Sequence, residues 1–244
     1  MRNTYLPFPF PLSEETIRSR RANILITLCS ENDGFSRIPV SSIGQQMLDQ
    51  MLKLYDEFFF EGYLSRKLGM LFVTLSSRLT SSAGKFFCTR GAFKRIRTAE
   101  IRMSSDFLLR LNKGPFVLNG LSVSTPQEAF LVVFEHELCH ALETAIYGET
   151  GHSARFLSLA NGLFGHTATR HSLPTRKQEA AETGLITGMR VCFPYQGREL
   201  SGIVTYIGKT ATVMVEDVRG EYRDKSGQRY TKYRVSLTKI KRIP

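Results

Sequence analysis

The segment from Thr125 to Tyr147 constrains the fold more than any other part of the chain. Thr125-Pro126-Gln127-Glu128 supplies an N-cap hydroxyl, a proline at the first helical position and a glutamate three residues after the cap. That combination is a capping box, and it predicts a helix running to about Tyr147. Phe130, Val133, Phe134, Leu138, Ala141 and Leu142 make the helix apolar on most sides, so it is expected at the centre of the fold. The same helix nevertheless carries His136-Glu137-Leu138-Cys139-His140, an HExxH motif. Residues i and i+4 project from one face about a turn apart, so both imidazoles can reach one metal ion. Neutral imidazole nitrogen suits zinc, and Glu137, beside the first ligand, is placed to take a proton from zinc-bound water.

A catalytic zinc needs a third protein ligand and an open position. The metzincin spacing asks for Gly at 143 and His at 146; the chain has Glu143 and Ile146, which excludes that class. The candidates that remain are His152, His166, His171, Glu179 and Glu182. His152 is favoured, because the turn Gly148-Glu149-Thr150-Gly151 can bring the chain back towards the metal and leave His152 at the start of the next helix. His166 and His171 are expected at the surface or behind the ligands.

Around this helix, Ser13 with Glu14 and Glu15 predicts a first helix to about Cys29, and a second is expected over 42–64, with Met47, Met51, Tyr55 and Phe58 in its buried stripe. Residues 70–75, 85–89 and 99–103 read as short strands of a small, partly antiparallel sheet, and 153–163 and 175–182 as helices. From Thr187 the period becomes alternating. Strands at 189–194, 202–207, 211–215 and 230–235, separated by turns, predict a small SH3-like β-barrel. The four cysteines, at 29, 88, 139 and 192, form no CxxC pair, which excludes a four-cysteine zinc ribbon and predicts reduced, buried thiols. No run of 18 apolar residues exists and the first residues lack the apolar stretch of a signal peptide. The expectation is a cytoplasmic protein, nuclear if eukaryotic, that is neither secreted nor bound to a membrane.

Charge adds a partner. The chain carries a net charge of +11, and residues 186–244 hold twelve Lys and Arg against five Asp and Glu, a net +7. A basic module of this kind points to a polyanion, with nucleic acid the leading candidate. Residues 85–97 add Lys85, Arg90, Lys94, Arg95 and Arg97 interleaved with three phenylalanines, a mixture that can hold single strands by charge and stacking. A plain β-hairpin with a solvated basic face is the preferred reading of that stretch. In the C-terminal module the contact candidates are Lys209, Arg229, Lys232 and Arg234.

From about Leu54 to Thr167 the chain resembles the SprT-like family of zinc metallopeptidases, to which the Spartan protease belongs. The resemblance is carried by Phe59–Leu64 (FFEGYL), Ser76–Gly84 (SSRLTSSAG), Ala99–Ser104 (AEIRMS), His136–Ala141 (HELCHA) and Gly151–Phe156 (GHSARF). It implies that His136, His140 and His152 bind one catalytic Zn2+ and that Glu137 is the catalytic base. It also implies a protein substrate, including proteins trapped on DNA, with DNA binding as a gate. The chain departs from many such proteins in lacking the zinc ribbon after the protease region; the basic module stands there instead.

The expected architecture is therefore α+β. A zincin-like metallopeptidase domain of helices and a small sheet, with HExxH on a central helix, is followed by the SH3-like barrel. The expected boundaries are an N-terminal extension over 1–41 with one helix, the peptidase domain over 42–167, a linker over 168–186 and the basic module over 187–244. The expected activity is zinc-dependent hydrolysis of protein substrates. The rival reading is a non-catalytic, zinc-stabilised nucleic-acid-binding protein.

Overall fold

The first helix, α1 (Glu14–Glu31), starts where Ser13 accepts a hydrogen bond from the Thr16 N–H at 3.2 Å. In the computed structural model, the described residues are 6–31, 40–108, 111, 115–169, 176–182 and 184–243. They fall into two units, residues 1–173 and 174–244.

In the first unit the predicted second helix is broken in two, α2 (Gln45–Phe60) and α3 (Tyr63–Leu68). Glu61 and Gly62 take left-handed backbone conformations between them, and the Asp56 carboxylate accepts the Leu64 and Ser65 N–H groups at 2.9 and 3.0 Å. A carboxylate bound to the first free donors of α3 stabilises the break. The sheet consists of β1 (Met70–Ser76), β2 (Gly84–Arg90) and β3 (Ile96–Ser104) in the order β1-β3-β2, with β1 parallel and β2 antiparallel to β3. After α4 (Ser105–Leu108) comes a hairpin absent from the sequence expectation, β4 (Phe116–Leu118) and β5 (Leu121–Val123). Its two-residue loop, Asn119-Gly120, has positive φ at both positions, the conformation that this dipeptide favours.

The central helix, α5 (Pro126–Tyr147), begins with the complete capping box. Thr125 Oγ1 accepts from the Glu128 N–H and Glu128 Oε2 accepts from the Thr125 N–H, each at 3.1 Å. Helix α6 (Ala154–Phe164) follows, capped by Ser153. Phe130 and Phe134 of α5, Tyr55, Phe59 and Phe60 of α2 and Phe164 of α6 are fully buried together, with the Phe59 and Phe164 rings 4.8 Å apart. Helix α1 belongs to this core through Ile24 and Leu28.

A charged cluster sits inside that apolar interior. Arg21 of α1 donates to both carboxylate oxygens of Glu135 at 2.6 and 2.5 Å and to the Phe164 carbonyl at 2.6 Å. The Tyr55 hydroxyl donates to Glu135 at 2.9 Å, and His166 Nε2 lies 3.0 Å from it. Burial alone would raise the Glu135 carboxyl, but the Arg21 charge and the hydrogen bonds from His166 and Arg21 outweigh it and hold the group at about 2.

The second unit has its own core. After α7 (Arg176–Glu182) come β6 (Arg190–Tyr195), β7 (Arg198–Ile207), β8 (Thr210–Glu216), β9 (Tyr222–Arg223), β10 (Arg229–Ser236) and β11 (Lys241–Arg242). They pair antiparallel in the order β11-β6-β7-β8-β10-β9, which leaves β11 and β9 as edges. Val191, Phe193, Val204, Val213 and Val235 line the inner face. Residues 168–186, expected as a linker, include α7, whose Ala180 joins this core. The cysteine expectation is corrected: Cys139 is buried, but Cys29, Cys88 and Cys192 are only half-buried. Among the described residues no helix is long and apolar enough to cross a membrane.

Removing one member of a buried ion pair leaves the other uncompensated, which costs more than the intact pair contributes. Arg21→Leu is therefore expected to lower unfolding stability by about 3 kcal/mol, read from urea denaturation. A loss below about 1 kcal/mol would show that Tyr55 and His166 suffice to hold Glu135.

Candidate metal centre

Helix α5 places His136 and His140 one turn apart on one face, as the i, i+4 spacing dictates. The chain leaves α5 at Gly148, whose φ of 79° is the left-handed conformation that ends a helix, and returns through Thr150 and Gly151 to His152. His152 Nε2 lies 3.0 Å from His136 Nε2 and 3.2 Å from His140 Nε2. Three nitrogens bound tetrahedrally to zinc at 2.0–2.1 Å sit about 3.3 Å apart, so the spacing fits such an ion with little adjustment. These three are the group among the described residues that could hold a metal ion. Of the candidates among the described residues, His152 is the one brought to His136 and His140.

The other candidates go elsewhere. His166 is not at the surface: it is fully buried and occupied with Glu135. Glu182 is an exposed residue of α7 in the second unit. His171 and the Glu179 side chain lie outside the described residues.

The surroundings prepare the imidazoles. Phe156 of α6, fully buried, packs against all three rings, with centroids 4.9, 4.4 and 5.2 Å from His136, His140 and His152. Burial, and then the neighbouring His152, pushes His140 down to about 4, so its ring is neutral at physiological pH and able to act as a ligand. His140 Nδ1 lies 2.7 Å from Thr150 Oγ1, and that hydroxyl donates to Glu143 Oε2 at 2.8 Å. The hydroxyl proton is thus committed to the carboxylate, so His140 Nδ1 is the donor of the first bond and Nε2 keeps its lone pair for a metal.

Glu137 points into a cavity of about 570 Å3 lined by the three histidines together with Ser81, Ser82, Lys85 and Phe86. Burial raises its carboxyl to about 8, against the opposing influence of the Phe86 backbone N–H and of Lys85. Its Oε2 is buried with no hydrogen-bond partner in the structure. A carboxylate with an unused acceptor beside three convergent imidazoles is what a water molecule on a dication would need, so the donor set fits zinc.

Several contributors escaped the sequence reading. Gly84, at the start of β2, matters because a Cβ there would lie 2.7 Å from Glu137 Cγ; only glycine lets the acid occupy its position. Glu143 was read solely as a departure from the metzincin pattern, although it stands seven residues after His136 and hence on the same helical face.

The basic residues singled out from sequence are divided between the two units. Lys85, Arg95 and Arg97 are exposed on the β2–β3 segment of the first unit. The Arg90 guanidinium donates to the Gly148 carbonyl and so closes the end of α5. The Lys94 side chain lies outside the described residues. In the second unit, Lys209 stands in the β7–β8 turn and Arg229 reaches the Gly220 carbonyl at 3.4 Å. Lys232 and Arg234 project from β10 on the side opposite the buried Val235.

Comparison with known proteins gives one family: a model of the SprT-like family matches residues 48–177. No curated protein and no solved structure matches the chain.

His152→Ala is expected to abolish stoichiometric zinc binding in equilibrium dialysis and leave the far-ultraviolet circular dichroism unchanged, because His152 is an exposed turn residue. Retained tight binding would exclude it as a ligand.

Proposed function

The chain belongs to the SprT-like family, and on that premise we propose that it is a zinc-dependent endopeptidase of zincin-like architecture. The observation that carries this reading is the convergence of three imidazole nitrogens beside a buried carboxyl with an unsatisfied oxygen. His136, His140 and His152 would hold the ion, which supplies Lewis acidity and a water of lowered pKa.

The chain's own groups do the rest. Glu137 ionises when a dication opposes the burial that keeps it protonated, takes a proton from the attacking water and returns it to the leaving amine nitrogen. Gly84 leaves the space that Glu137 needs. Strand β2 is an edge strand of its sheet, and its Lys85 and Phe86 line the cavity. An edge strand beside the histidines suits an extended polypeptide, which pairs through backbone hydrogen bonds. This supports a protein substrate.

On the same reading the second unit is a basic, SH3-like barrel that captures DNA and brings the peptidase to proteins bound or crosslinked to it. The pairing register supports this by setting cations and rings on one face. Lys232 pairs with Met214, Met214 with Ile203 and Ile203 with Arg190; Arg234 pairs with Thr212 and Thr212 with Tyr206. Tyr206 and Tyr222 are exposed, and the Lys232 amine lies 5.5 Å from the centre of the Tyr222 ring. Exposed rings and cations together can stack bases and neutralise phosphates. We take residues 42–167 as the peptidase domain after an N-terminal extension, and 187–244 as the barrel after a linker, in a cytoplasmic or nuclear protein.

The deciding experiment is cleavage of a histone by the zinc-loaded protein, with and without single-stranded DNA. Cleavage by the wild type is expected to rise with DNA and to fall about a hundred- to ten-thousand-fold in Glu137→Gln, with zinc still bound. Binding of DNA is expected to weaken steeply as salt increases. Zinc binding without cleavage would favour the non-catalytic nucleic-acid-binding protein instead. Gly84→Ala gives a separate test: it displaces Glu137 and is expected to cost about a hundredfold in cleavage with unchanged zinc affinity.

A further inference from the structure

One buried carboxylate links two of the three histidines. Glu143 is inaccessible to solvent and lies on the stripe of α5 that carries His136 and His140. Its Oε2 accepts the Thr150 hydroxyl at 2.8 Å, and that hydroxyl in turn accepts the proton of His140 Nδ1. The same oxygen accepts the backbone N–H of Gly151, the residue before His152, at 2.9 Å. Its Oε1 accepts from Arg155 of α6 at 2.8 Å. Burial works to raise this carboxyl, but Arg155, the Gly151 N–H and the Thr150 hydroxyl prevail and keep it ionised.

Building on the zinc site of the proposed function, we infer that Glu143 is its positioning residue and Thr150 the relay through which it acts. Glu143 fixes the His140 tautomer at one remove and clamps the turn that presents His152, so that both ligands are set before any ion arrives. The Arg155 charge keeps the carboxylate oriented, and α6 thereby holds the turn from its other side. A carboxylate that orients a ligand imidazole raises its basicity and lowers the ordering cost of metal binding. Here a hydroxyl stands between them, which allows the same oxygen to hold the returning backbone as well.

The test measures zinc affinity by chelator competition, together with the visible bands of the cobalt-substituted protein, in the full chain. Glu143→Ala is expected to lower affinity about 10- to 100-fold and to change the cobalt spectrum. Thr150→Val keeps the shape but removes the hydroxyl; it is expected to lower affinity about tenfold, with Thr150→Ser restoring it. If Glu143→Ala does not fold, the Thr150 pair decides alone. Wild-type affinity and spectrum in Thr150→Val would overturn the relay. A wild-type chain that binds zinc but cleaves nothing would sink the peptidase and leave this inference standing, whereas one that binds no zinc would end both.

Discussion

The carboxylate of Glu135 is the constraint on which the first unit depends. An ionised group without access to solvent must be surrounded by donors, and each donor here comes from a different part of the chain. Arg21 comes from α1, Tyr55 from α2 and His166 from the segment after α6. Satisfying one charge therefore fixes three segments against α5, one residue before His136. Apolar packing of Phe59, Phe134 and Phe164 supplies most of the burial, but it tolerates small rotations. Hydrogen bonds to a single carboxylate do not, so they set the rotation of α5 about its own axis.

That rotation decides what the remaining faces of the helix can do. With Glu135 turned towards α1, His136, His140 and Glu143 face the returning turn and Glu137 faces β2. The site is consequently carried by a rigid element, and only His152 arrives on a turn. Its backbone is anchored through Gly151 to the same helix.

Legibility in the sequence followed the range of each interaction. Helix α5 and the pairing of His136 with His140 could be read because the capping box and the i, i+4 spacing are local. Most strands were visible as short apolar or alternating runs, but β4, β5, β9 and β11 were not. Two or three residues are too few to show a period, although Asn119-Gly120 was a turn signal available to be used. The parallel pairing of β1 with β3 depends on packing and left no trace in composition. His166 was misplaced because its burial depends on Glu135 and, through it, on Arg21, 114 positions earlier than that acid. Charge counting likewise could not show that Arg90 and Arg229 reach the backbone carbonyls of Gly148 and Gly220. It had no means of finding Gly84, whose contribution is an absence of atoms.

Glu135 and Glu137 are separated by about 3 Å of helical rise, yet one is held at about 2 and the other at about 8. The two carboxyls are identical in chemistry and almost equally buried; they differ in whether a cation in direct contact offsets that burial. The helix consequently favours the ionised acid on one side and, until a dication opposes its burial, the protonated acid on the other. What separates the two states is direction: residues two positions apart on a helix point about 200° from one another, so each carboxyl meets a different neighbour.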